Sequence, residues 1–269
     1  MNLSFLILVP LLTAISILFC SGLKQVRTVS LAGAVVQLAL SFVLLAGYWQ
    51  QPHSGTSQML FEDSYTWFKP MGIYYHVGVD GISIAMILLT AFVVMAGVLM
   101  SWTQAALSKE FFFLLMLLSV GAYGFFISLD LFTLFFFLEL AVIPKFLLIG
   151  IWGSGKKEYS AMKLALMLTG GSALVFVGLA GIYFNTHTFD IVQIAKTPIP
   201  LAVQKFFFPF AFIGFGIFTA LFPFHTWVPD GHSSAPTAAS MFLAGISMKL
   251  GGYGCLRVAT YLMPDAAHA

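Results

Sequence analysis

The sequence predicts an all-α, polytopic transmembrane helix bundle of about eight helices. Three observations predict it. The chain is 60% apolar and only 8% charged, where a soluble domain carries about 25% charged residues. Eight apolar runs reach the length of about 20 residues that a spanning helix needs. No ten-residue alternating pattern of a membrane barrel interrupts them, and helices satisfy their backbone internally.

The runs fall near 3–23, 28–48, 79–102, 111–129, 131–152, 161–184, 206–227 and 237–262. The first opens directly after Met1 with no basic leader region and no small-residue cleavage site, so it is expected to be a retained helix. Asp80, in Gly78-Val-Asp80-Gly-Ile-Ser83, has the residue type that caps the start of the third helix, and Asp130 reads the same way for the fifth. Pro144 is expected to kink the fifth run by freeing a carbonyl one turn back. Pro223, Pro229 and Gly231 are expected to break the seventh, and Ser233, Ser234 and Thr237 supply caps and small polar contacts at the start of the eighth. Arg257 suits a helix C-terminus. The longest connections are 49–78 and 185–205.

The positive-inside rule orients the bundle. The loops after runs one, three and five hold Lys24, Arg27, Lys109, Lys156 and Lys157, against Lys69, Lys196 and Lys205 after runs two and six. The first set is expected in the cytoplasm and the amino terminus outside, in an inner or cytoplasmic membrane.

Composition also excludes classes. A net charge of +2 without a basic block argues against a nucleic-acid partner. Cys20 and Cys255 are too few for a disulfide framework or a thiolate metal site. No phosphate loop, dinucleotide fingerprint or cysteine cluster occurs, so no nucleotide, flavin or iron–sulfur cofactor is expected. His225, Asp230 and His232 lack helical metal-ligand spacing, and no metal is expected there.

Four cations and one carboxylate in or beside apolar runs carry the functional signal. Glu139 lies eight residues past Leu131, about 12 Å along a helix. A charge at that depth costs roughly 2.5–3.5 kcal/mol on insertion scales. It needs a partner, water or protonation, and a group able to switch states can transfer protons. Lys249 lies about 17 Å into the eighth run, and a buried lysine can load and release a proton. Lys145 is either a membrane-depth proton site or a side chain reaching back to an interface. Lys163 is either an interfacial anchor or an inward-facing link to Glu139. His225, inside Pro223-Phe-His225, can relay protons or be a satisfied structural residue.

These residues resemble the antiporter-like membrane subunits of respiratory complex I, of the subunit M type. The resemblance runs from Gly78-Val-Asp80-Gly-Ile-Ser83 through Glu139, Ile149-Gly-Ile-Trp-Gly153 and Ala161-Met-Lys163. It is most specific in Pro223-Phe-His225-Thr-Trp-Val-Pro-Asp230-Gly-His232-Ser-Ser-Ala-Pro-Thr237 and Lys249-Leu-Gly-Gly-Tyr-Gly254. It implies about fourteen helices with two inverted five-helix repeats. Residues 3–102 would be three N-terminal helices, and residues 111–262 the first repeat, helices 4–8 with helix 7 broken. The second repeat is not among these residues, so the chain is expected to be a fragment or the product of a split gene.

The resemblance also implies roles. Glu139 matches an acidic residue that pairs with a lysine on helix 7, and Lys249 matches the lysine that continues the path. The helix 7 lysine is expected five residues before Pro223, where Phe218 stands, and a proline expected three residues before it is Ala220. Lys145, where an apolar residue is usual, is expected to supply the missing charge, with Lys163 next in line. The implied function is proton translocation by a subunit without redox cofactors, in an NADH:quinone oxidoreductase, with other membrane subunits, lipid, water and protons as partners. A multisubunit Na⁺/H⁺ antiporter subunit, or a subunit of a membrane-bound hydrogenase or formate hydrogenlyase, is the alternative. A purely structural scaffold leaves three mid-membrane charges unexplained.

Overall fold

In a computed structural model, which describes residues 2–51 and 59–268, the chain is a bundle of long apolar helices. They are α1 (Phe5–Leu18), α2 (Leu23–Trp49), α3 (Gly81–Met100), α4 (Ser108–Ile127), α5 (Leu131–Leu140) with α6 (Val142–Trp152), and α7 (Lys157–Thr186). A short α8 (Ile191–Ile194) leads into α9 (Leu201–Thr219) and α10 (Trp227–Ser234). The eighth run is helical from α11 (Thr237–Phe242) through α12 (Met248–Gly254), with π-helical segments at Leu243–Ser247 and Cys255–Thr260, and α13 (Pro264–His268) follows. Among the described residues six spans are long and apolar enough to cross a membrane. At 14 residues α1 reaches only about 21 Å.

One element falls outside the expected class. The 49–78 connection carries an antiparallel hairpin, β1 (Leu60–Phe68) and β2 (Ile73–Val79), pairing Tyr65 with Tyr75 and Leu60 with Val79. Gly72 closes the turn at φ 63°, a conformation that glycine adopts at little cost.

The almost wholly buried α4 forms the centre. Two small residues let its neighbour in: a Cβ on Gly124 would stand 2.3 Å from the Phe137 ring, and one on Gly121 2.9 Å from Ala141. The threading alternates. Val77 bridges Ser128 and Asp130 bridges Asp190, so the connections after runs two, four and six share the hairpin end. At the other end Trp152 Nε1 donates to the Ala106 carbonyl at 2.9 Å, and Ser154 N–H to that of Ser234 at 2.8 Å.

The caps divide. Asp80 accepts from Ser83 N–H, and Asp130 from Phe132 and Thr133 N–H, as their positions predict. Ser233, Ser234 and Thr237 do not cap the eighth run, and Ser233 and Ser234 instead make the small polar contacts expected of them. Pro236 occupies the N-cap, Ser234 Oγ meets Ser160 Oγ at 2.8 Å, and Ser233 Oγ bonds back to the Asp230 carbonyl.

At the hairpin end, buried His76 places Nδ1 3.0 Å from Asp190 and Nε2 3.5 Å from Glu62. Asp190 also caps α8. Asp130, wholly buried beside Asp190, has its carboxyl pushed up to about 6, chiefly by burial. The hydrogen bond to Asp190 raises His76 above its ordinary 6.5, outweighing burial. Burial works against ionised Asp190, but His76 and two N–H groups hold it below its ordinary 3.8.

The signs then set a window. A raised histidine stabilises fully below its unfolded pKa and loses that contribution as pH rises through the folded value. A depressed carboxylate stabilises above its unfolded pKa. The pair therefore contributes most between about pH 4 and 6.5. His76→Gln in detergent-solubilised protein is expected to lower the melting temperature by roughly 2–4 °C at pH 5.5, and by less at pH 8.5. A gap that widens with pH would contradict this.

Candidate functional site

Glu139 lies at the end of α5. Two residues on, at Ala141, the regular helix is interrupted before α6 resumes. Pro144 cannot donate to the Leu140 carbonyl, which accounts for the interruption in the way the sequence predicts. Half-buried Glu139 accepts a hydrogen bond from Ser172 of α7, whose hydroxyl also lies 3.0 Å from the Leu168 carbonyl. Ser172 was not legible as a site residue. Its only signal is a hydroxyl in the middle of an apolar run.

Lys145 is 1% exposed. Its Nζ makes no hydrogen bond among the described residues and lies 5.9 Å from the centroid of the Phe218 ring. It is near enough to Glu139 for each to feel the other's charge. The amine therefore points at the end of α9, where the resemblance implies a lysine, and not toward lipid.

The seventh run breaks at Ala220, before Pro223. Ala220 adopts φ 65°, and Leu221 N–H donates back to the Gly216 carbonyl at 2.9 Å, closing the helix. Trp227, buried, donates its indole N–H to the Ile217 carbonyl at 3.0 Å and pins the returning chain. Contrary to expectation, Pro229 and Gly231 do not stop the helix: α10 runs through both. Pro229 sits in its first turn, where the missing N–H costs nothing.

Lys163 and His225 lie apart from Glu139. Lys163 Nζ pairs with Asp230 of α10 at 2.6 Å, so it faces the hinge and is not the carboxylate's partner. His225 is exposed on the connection and stacks on Phe222 with centroids 5.6 Å apart.

Lys249 is exposed on the surface of this chain, and its amine donates to the Ala244 carbonyl within the first π segment. π turns inside helices are frequent at functional sites. With Ile82, Met86 and Thr219 it lines a cavity of about 320 Å³. The consecutive residues Phe218 and Thr219 thus face Lys145 and the Lys249 cavity.

The glycines after Lys249 explain how it gets there. A Cβ on Gly251 would stand 2.4 Å from Thr219 Oγ1 and 2.5 Å from the Phe215 carbonyl, and one on Gly254 2.3 Å from the Phe215 ring. The helix can approach the break only because it carries hydrogens there. Gly251→Ala is expected to lower stability by about 1–3 kcal/mol through overpacking, measured as a drop in melting temperature. An unchanged melting temperature would contradict the contact.

Among the described residues no group of three His, Cys, Asp or Glu side chains converges as a metal site.

Residues 128–269, more than half of the chain, match the family described as NADH:quinone oxidoreductase/Mrp antiporter, transmembrane. The chain belongs to that family. It is 35% identical over 268 residues to the NADH-quinone oxidoreductase subunit M of Rickettsia prowazekii (strain Madrid E), a match covering 98% of this chain and 55% of that protein. The chain spans about half the length of the curated relatives it matches. Its fold is that of a chain in the respiratory complex I of Thermus thermophilus (TM-score 0.86, 22% identity, 98% of this chain and 54% of that one). A chain of an archaeal membrane-bound sulfane sulfur reductase fits nearly as well (TM-score 0.84, 22% identity, with the same shares). The fold is thus found in more than one kind of respiratory complex.

Proposed function

We propose that this chain is the proton-translocating part of a subunit M-type membrane protein in a complex I-type NADH:quinone oxidoreductase. In this reading residues 3–102 are an N-terminal three-helix module and 111–262 one antiporter-like repeat. The bundle sits in the cytoplasmic or inner membrane with the hairpin end outward, beside other membrane subunits.

One observation carries the reading. A wholly buried lysine amine, without a hydrogen-bonding partner among the described residues, rests on Phe218 within electrostatic reach of Glu139. A packed interior has no structural use for an unsatisfied ammonium there, and burial penalises it heavily. A proton carrier needs that marginal balance.

The steps follow from charge. Ionised Glu139 accepts from Ser172 and favours the ammonium form of Lys145. When a proton neutralises Glu139, that attraction disappears and Lys145 gives its proton up toward the α9 break. Lys249, on the far side of Phe218–Thr219, receives it. Lys163, through Asp230, holds α10 against α7 so that the break keeps its place, and His225 exchanges protons at the exposed connection. Electron transfer in other subunits would bias the first step.

Purification of the native complex through a tag on this chain tests the assignment. Iron–sulfur and quinone-site subunits are expected to accompany it. A nickel subunit would place it in a hydrogenase, and small membrane subunits alone in an antiporter.

A further inference from the structure

Beyond Lys249 the eighth helix carries a second charged group. Arg257 follows eight residues later, about two turns on, and its side chain is 9% exposed. Its guanidinium pairs with Asp80 Oδ2, and its Nε donates to the Tyr253 hydroxyl at 3.2 Å. That hydroxyl lies 2.9 Å from Ser83 Oγ. Asp80 divides its work: Oδ1 takes Ser83 N–H at 2.8 Å and caps α3, so Oδ2 serves the arginine. Burial works to raise the Asp80 carboxyl, but Ser83 and Arg257 hold it below the usual range.

This network closes a groove that starts at Lys249. The cavity beside Lys249 and a smaller one of about 110 Å³ beside Arg257 and Tyr261 share Ile82, Tyr253 and Leu256 as walls. Among the described residues nothing charged lines the stretch between them. A proton leaving Lys249 toward the hairpin end meets the Asp80–Arg257 pair first, and Asp80 stands directly after β2 at that end.

We propose that the Asp80–Arg257 pair, tied to Tyr253 and Ser83, gates proton exchange between Lys249 and the hairpin-side surface. This rests on the proton path through Lys249. An N–H of the Lys249 ammonium breaks, the proton crosses groove water, and an O–H forms on Asp80 Oδ2. Lysine and aspartic acid are then both neutral, and Arg257 loses its partner and swings free. Loss of the Asp80 proton to the surface restores the carboxylate, and Arg257 closes on it again.

The test uses sealed vesicles containing the whole complex, with quinone reduction, proton translocation and passive proton leak followed together. Asp80→Asn keeps an oxygen for the Ser83 N–H and removes the charge. It is expected to assemble, to leak protons about fivefold faster, at the low end of couplings between linked sites, and to move fewer protons per quinone. Tyr253→Phe removes one hydroxyl and keeps the ring packing, so it carries the test if Asp80→Asn does not assemble, with the same changes expected. Parent-like leak and stoichiometry in an assembled variant would overturn the gate. Lys249→Ala separates the two levels. If it stops pumping while the Asp80 and Tyr253 variants behave as the parent, only the gate fails. If it pumps normally, the path fails and the gate with it.

Discussion

Vesicles whose complex carries Glu139→Gln are expected to keep reducing quinone while translocating protons at less than about a tenth of the parent rate, since a positioned acid–base group contributes about 100-fold or more. Glutamine fills the same volume and still accepts from Ser172, so packing is preserved. It cannot ionise, and Lys145 then has no carboxylate to answer to. A loss of protein from the membrane would indicate a structural role, so the variant's abundance belongs in the same experiment. Parent-like pumping at parent-like abundance would remove Glu139 from the path.

Lys145→Met is expected to abolish pumping as completely and to leave the bundle as stable as before, or more so. Methionine matches the length of the buried stem and carries no charge. Replacing a buried ammonium that lacks a hydrogen-bonding partner by an apolar side chain of similar volume removes its desolvation penalty. Lys145 is 1% exposed against the face of Phe218. A structural lysine would show the reverse, a fall in melting temperature with pumping retained. The opposite directions of the two readouts separate the roles.

Much of this was legible in the sequence because bilayer length and charge cost are blunt constraints. Gly81–Met100 and Ser108–Ile127 lie within a few residues of where their apolar runs place them. Lys145 could be suspected because one expected charge was missing at Phe218 and another had appeared nearby. What stayed hidden depends on contacts between runs. Lys163 opens the sixth run close to Lys156 and Lys157, and nothing local says that it meets Asp230, 67 positions later. His76 and Asp190 are 114 positions apart and meet only because three connections converge at one end. Arg257 read as a helix terminus because Asp80 already had a sufficient role as a cap. The π segments at Leu243–Ser247 and Cys255–Thr260 are ordinary apolar helix in composition. The hairpin could have been found: Ile73-Tyr-Tyr-His-Val77 follows Lys69-Pro-Met-Gly72, a turn between β-formers.

The central claim is that Lys145 supplies, from α6, the positive charge that α9 lacks at Phe218. Moving the charge back tests it most directly: protons translocated per quinone reduced, measured in vesicles bearing Lys145→Met alone and Lys145→Met with Phe218→Lys. The ring and the amine already occupy adjoining space, so the double variant is predicted to recover most of the pumping that the single variant loses. Parent-like pumping by the single variant, or equal loss in both at equal abundance, would contradict it.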